Sequence, residues 1–190
     1  MSNSSSTPQR HAGTRKIIIA CVIVAVIVIA GVIYYGFYYA GKPPWFFKGA
    51  YAEYRGVATG IAGIFPVAVS INLRLEVVDT SNNVATVLMS GVISAGVFSK
   101  DFSSTFTIDL TGKVENTTLE YVGEEYKYIP GFGTRKCLVY ESTNENLRTR
   151  MYVDKEAKWP IAFEFTISTK GAFINIPLEL TDTNIPSLKK

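Results

Sequence analysis

The chain has 190 residues, 47% hydrophobic and 18% charged, with a net charge of +3, two cysteines and one histidine. Arg10, Arg15, Lys16 and Lys42 precede Trp45 with no acid among them, which leaves 15 of the 19 Lys and Arg against all 16 acids in the rest of the chain. The positive charge therefore marks a membrane flank and not a nucleic-acid surface. The lone histidine, His11, removes His-based triads and most transition-metal sites from the rest of the chain, and Cys21 and Cys137 are too differently placed to form a disulfide scaffold.

Residues 1–16 are rich in Ser, Thr, Asn and Pro and read as a disordered basic tail. Ile17 to Ala40 then runs without a charge. As a helix it would extend about 36 Å, enough to cross a hydrocarbon core of about 30 Å with some tilt. Its length exceeds a cleavable leader, so it reads as one uncleaved signal-anchor helix spanning the membrane once. Arg10, Arg15 and Lys16 outweigh Lys42 and Lys48, which places the tail in the cytoplasm and the rest outside. Tyr34 to Tyr39 with Trp45, Phe46 and Phe47 read as an aromatic belt at the far interface, and Pro43-Pro44 ends the helix. The expected layout is a tail at 1–16, a transmembrane helix at 17–40, a linker at 41–48 and an extracytoplasmic domain at 49–190. Asn116-Thr117-Thr118 is a glycosylation sequon that only an exported domain could use.

From Ala50 onward the period is two. Val67, Val69, Ile71, Leu73, Leu75 and Val77 alternate with mostly polar residues, and Asp79 to Asn83 supplies turn chemistry. The pattern recurs through Val84 to Ser94, Phe102 to Leu110, Leu119 to Val122, Tyr126 to Ile129, Lys136 to Glu141, Leu147 to Val153, Ile161 to Ile167 and Ile174 to Leu180. Pro177 predicts an edge strand or a bulge. No window has a helical period. The fold class is all-β: a strongly curved antiparallel meander of about nine or ten strands, a half-barrel or a closed barrel, behind one transmembrane helix. Two apolar Gly-rich stretches, Gly56 to Phe65 and Gly91 to Phe98, break the alternation. They read either as a strand with bulges or a close-packed corner, or as a flexible flap over an apolar cavity.

The closing run Arg148-Thr-Arg-Met-Tyr-Val-Asp-Lys-Glu-Ala-Lys-Trp-Pro-Ile-Ala-Phe-Glu-Phe-Thr-Ile, with Ile174-Asn-Ile-Pro-Leu-Glu-Leu, resembles the end of the bacterial lipoprotein-carrier family (the LolA and LolB type, with the related LppX and RseB folds). Val153-Asp154 and Trp159-Pro160 stand where that family has a strand ending in aspartate and a turn with a Leu-Pro-like pair. The resemblance implies a half-open antiparallel barrel whose apolar face holds acyl chains.

No catalytic motif stands out, and no cofactor or metal is expected. Asp79, Asn82 and Asn83 suit a hairpin turn better than calcium. Glu124-Glu125 and Asp154-Lys155-Glu156 suit solvated turns, and Cys137 suits a buried strand position. The candidate ligand site is an apolar wall of Val69, Ile71, Leu73, Phe106, Ile108, Phe163 and Phe165, with Ile61, Ile64 and Phe65 as its flap. Two non-enzymatic roles compete: a membrane-anchored module that binds a lipid or other apolar ligand, and a structural or assembly subunit of the cell surface, pilin-like or partnered with an envelope protein.

Overall fold

The computed structural model describes residues 42–110 and 119–189. The tail, the apolar run to Ala40, the turn at Thr111 to Lys113 and the sequon at Asn116 lie outside these residues. Among the described residues, no helix is long and apolar enough to cross a membrane.

Among the described residues nine strands follow one another: β1 (Tyr51–Ala62), β2 (Phe65–Ser81), β3 (Val84–Ala95), β4 (Phe98–Asp109), β5 (Glu120–Ile129), β6 (Gly133–Thr143), β7 (Leu147–Asp154), β8 (Pro160–Thr169) and β9 (Ala172–Thr183). A short 3-10 turn at Pro186–Leu188 follows. They form one sheet in the order β4-β3-β2-β1-β9-β8-β7-β6-β5. The antiparallel meander is as expected; a closed barrel is not. Every neighbouring pair is antiparallel. With an odd number of strands, β4 and β5 at the two edges run the same way, so they cannot close the ring as a further antiparallel pair.

The chain nevertheless ties these edges together. Laid flat, nine strands put β4 and β5 about 38 Å apart. The nine steps from Leu110 to Leu119 reach about 32 Å at full stretch. They must also pass from one end of the strands to the other, because Asp109 pairs beside the β2–β3 turn and Glu120 pairs toward the β6–β7 turn. The sheet is therefore curled. On the other face β5 bends back over the sheet: Lys127 Nζ lies 2.8 Å from Glu164 on β8 and 3.8 Å from Glu179 on β9.

One face carries most of the core. Ala52, Tyr54 and Ala58 of β1 share it with Leu73, Leu75 and Val77 of β2, Val87 and Met89 of β3, and Phe163, Phe165, Leu178 and Leu180 of β8 and β9, all buried. Alternation alone accounts for this.

Four local expectations are settled by the structure. The Gly-rich stretch from Gly56 takes the strand reading and not the flap: it continues β1, next to the central strand β9. Pro177 is in neither an edge strand nor a bulge, since β9 lies between β1 and β8. The register of β1 on β9 is the same on both sides of it, Arg55 with Glu179 and Thr59 with Asn175, and the ladder lapses between. Gly56 makes that possible: a Cβ there would sit 1.7 Å from the Pro177 carbonyl oxygen. Third, the two short strands around Glu124-Glu125 are one, β5, with an irregularity between Tyr121 and Gly123 where Gly123 has φ +146°. The acids stay in the strand because it is an edge, and cations on its neighbours take them up: Lys136 meets Glu124 at 2.6 Å, and Lys155 and Arg150 pair with Glu124 and Glu125. Finally, Trp45 is not an interfacial belt residue. It is 0% exposed, within the domain's own core.

Candidate functional site

The apolar wall exists as one surface. Val69, Ile71 and Leu73 of β2, Phe106 and Ile108 of β4, and Phe163 and Phe165 of β8 all point to the core face. The structure brings them together but leaves no room between them. Apart from the half-buried Phe106, their exposures lie between 0% and 9%. Tyr54 meets the Phe163 ring edge-on at 5.4 Å, Phe163 stacks on Phe165 at 6.1 Å, and Met89 and Met151 are buried in the same cluster. The curled sheet packs the wall with its own side chains.

The two ends of this face differ. At the end where the chain enters from its apolar run, the face is sealed. Trp45 meets Trp159 edge-on at 5.1 Å and donates from Nε1 to the Lys158 carbonyl at 3.0 Å. Trp159 Nε1 donates to the Tyr54 hydroxyl at 2.7 Å, and that hydroxyl donates to the Pro160 carbonyl at 2.7 Å. Burial holds the Tyr54 phenol protonated far above its usual range. The C-terminal turn completes the seal with Ile185 and Leu188, both buried. Arg135 fixes it by donating to the carbonyls of Ser187 (3.1 Å) and Leu188 (2.7 Å). Asp154 is buried 3.9 Å from Arg135 and accepts from the amides of Glu156 and Ala157, so it shapes the β7–β8 turn and is not a solvated acid.

At the opposite end the face opens. Val67, Ile93, Ala95, Phe102 and Leu147 are only half-buried there. Beyond them the β1–β2 tip exposes Ile64 (87%) and the β3–β4 tip exposes Val97 (94%) and Phe98. Ile61 and Phe173, cross-strand partners on β1 and β9, are exposed beside them. The flap residues Ile61, Ile64 and Phe65 thus mark a hairpin tip and not a lid. Ile61 is paired on both sides, Phe65 opens β2, and the Gly63 amide donates to the Gly171 carbonyl at 2.6 Å. Such a tip projects from the sheet instead of lying across it.

On the second face, above β1 to β4, lies an open hollow of about 400 Å³ with Glu53, Arg55, Asn72, Arg74, Ser90 and Asp101 along it. Arg74 is held within it by Glu53 (2.6 Å) and Glu76 (3.0 Å) and lies 4.0 Å from the Tyr51 ring. Further along this face Lys127 covers Tyr152 at 4.6 Å; burial first, then Glu164, pushes the Tyr152 phenol up to about 12.

Cys137 is buried in β6, where burial first and then the Asp154 charge push its thiol up to about 12. Arg135 and Lys136 flank it in sequence without activating it. Asp79 lies within β2, paired with Thr86, and the turn itself is shorter than expected: Asn82 holds φ +52° just after Ser81, as hairpin chemistry asks. Among the described residues no group of three or more His, Cys, Asp and Glu side chains could hold a metal ion.

Sequence reasoning missed the sealed end. Trp45 was legible only as an aromatic near an apolar run, and the Tyr54–Trp159 hydrogen bond joins residues 105 positions apart. It also treated the exposed tips as part of a site facing inward. A scan against protein-family models returns no match, and a search of curated proteins returns none.

Proposed function

We propose that the chain is a single-pass membrane protein whose β domain stands outside the cytoplasm as a non-enzymatic docking and assembly module of the cell envelope. The observation that carries this reading is the distribution of apolar surface. The wall that would hold a ligand is filled, and the two most exposed large apolar side chains, Val97 and Ile64, project from hairpin tips at one end, with a second exposed group, Tyr121, Val122, Tyr126 and Tyr128, along the β5 edge. A carrier needs the reverse. Likeness to the lipoprotein carriers then extends to the curled antiparallel sheet, and acyl-chain transport is the second reading. The anchor rests on the uncharged run Ile17 to Ala40 and the cations before it. In this topology Asn116 lies on the side where glycans are added.

Membranes from expressing cells test both parts. The chain should resist carbonate extraction, and protease added to intact cells should remove the domain while sparing the tail. Detergent-purified protein should carry no stoichiometric lipid and show no saturable uptake of a fluorescent fatty acid. Saturable uptake that Leu73→Asp abolishes in a folded sample would restore the carrier reading.

A further inference from the structure

We propose that the open end of the domain docks end-on into a second lipid bilayer, facing the one that holds the N-terminal helix. The inference rests on the anchored topology just proposed. Three features of the open end carry it. First, Ile64 and Val97 sit on turns that project along the strand direction, and Phe98 opens β4 directly behind Val97. Separate protrusions suit a fluid that closes around them, whereas a folded partner would need a matching pocket for each. Second, the two tips, residues 61–66 and 95–99, contain no charged residue. The charges next to them are Lys100, just behind the β3–β4 tip, and Lys170, in the β8–β9 turn level with the β1–β2 tip, with Asp101 on the opposite face and Glu145 at the neighbouring β6–β7 turn. Apolar tips with lysines behind and beside them match the acyl and headgroup layers of a bilayer.

Third, chain length selects which bilayer. β1 runs 12 residues from the sealed end to the tips, about 36 Å at strand rise. The apolar run ends at Ala40, and Trp45 is fixed inside the sealed end. The five steps between them reach about 18 Å at most. An end-on domain with its tips in its own membrane would hold Trp45 about twice that far above the surface. The tips can therefore enter only a surface on the other side.

The full chain, reconstituted into biotinylated phosphatidylcholine–phosphatidylglycerol vesicles, provides the test. Fluorescent vesicles of the same lipids without protein serve as the facing surface, and streptavidin beads read how many are retained. The wild-type chain should retain them. The triple variant Ile64→Ser, Val97→Ser, Phe98→Ser should lose at least tenfold with an unchanged melting curve, because all three side chains are exposed. An environment-sensitive dye on Val97→Cys, in a Cys21→Ser background with Cys137 buried, should shift to the blue only when protein-free vesicles are added. A shift without them overturns the proposal: a constant shift means contact with the same bilayer, and one that grows with protein density means contact between copies. Unchanged retention by the triple variant overturns it too. So does absent retention when protease shows the domain folded and outward, while carbonate resistance of the same sample leaves the anchored topology standing.

Discussion

Replacing Trp45 with alanine should remove a large part of the domain's stability. Trp45 is fully buried, rests edge-on against Trp159 and donates to Lys158 across 113 residues of sequence. Removing a buried tryptophan side chain costs about 3–5 kcal/mol. A domain of this size is stable by about 5–15 kcal/mol, so one substitution removes a third or more of a typical margin. At about 2–4 °C per kcal/mol, the melting point should fall by roughly 6–20 °C. Phe47→Ala, at a neighbouring exposed position, should shift it by less than about 2 °C, near the usual surface effect. Trp45→Phe should fall between, keeping a ring against Trp159 and losing the N–H. The assay is thermal unfolding by circular dichroism on a fragment beginning at Lys42, and one beginning at Gly49 should behave like Trp45→Ala or worse. Since the chain has only two tryptophans, Trp45→Phe leaves Trp159 as a single reporter of the seal. Equal melting points for Trp45→Ala and Phe47→Ala would refute the reasoning and return residues 42–48 to a linker.

Tyr54→Phe should cost about 2–4 kcal/mol, because it leaves both the Trp159 N–H and the Pro160 carbonyl without their buried partner. The phenol is raised in the folded state, so its contribution is complete below its ordinary value of 10.0 and is lost as pH climbs from there through the folded value. Wild type should therefore lose melting temperature more steeply than Tyr54→Phe as pH rises above about 10, and parallel curves would count against the buried phenol. Gly56→Ala should cost at least about 3 kcal/mol, since its Cβ would meet a backbone carbonyl at 1.7 Å, whereas Gly63→Ala meets nothing and should lose only about 1–2 kcal/mol through its φ of +66°. In a Cys21→Ser chain, Cys137 should react with an aromatic disulfide reagent only at the rate of global unfolding; fast reaction in native buffer would show that β6 opens locally.

The legible part of the fold was the part that depends on neighbours in sequence. Val67 to Val77 alternates, and the structure buries its odd members from Val69 onward because one pleat face meets the core. What pairs with what was not legible. Pro177 looks like an edge residue by its missing N–H, yet it stands in β9 near the sheet's centre because a glycine on β1 leaves room for its carbonyl. Glu124-Glu125 looks like a turn until Lys136, Lys155 and Arg150, distant in sequence, come beside it. The wall residues of the candidate site were found by period, but whether the wall is open depends on how tightly the sheet curls, which no single strand encodes. The exposure of Ile64 and Val97 was equally hidden, since an apolar Gly-rich stretch reads the same at a corner, a tip or a flap.

An open sheet with two edges must keep them from pairing with other copies, and the sequence at β4 and β5 does this in two different ways. β4 presents Ser99, Lys100, Asp101, Ser103, Ser104 and Thr105, all exposed, with a lysine and an aspartate side by side. β5 is irregular at Gly123 and carries Glu124, Glu125 and Lys127, so its edge is both bent and charged. Those devices make edge-to-edge addition, the simplest way for such a sheet to polymerise, the costly route. The apolar tips carry no comparable guard: residues 61–66 hold not one charge, and Ile64 and Val97 are almost wholly exposed. β5 also exposes Tyr121, Val122, Tyr126 and Tyr128, so its guard is the bend and the charges and not a lack of apolar surface. A sheet guarded along its sides and unguarded at its tips is built to make its contacts end-on, at the end farthest from where its chain enters.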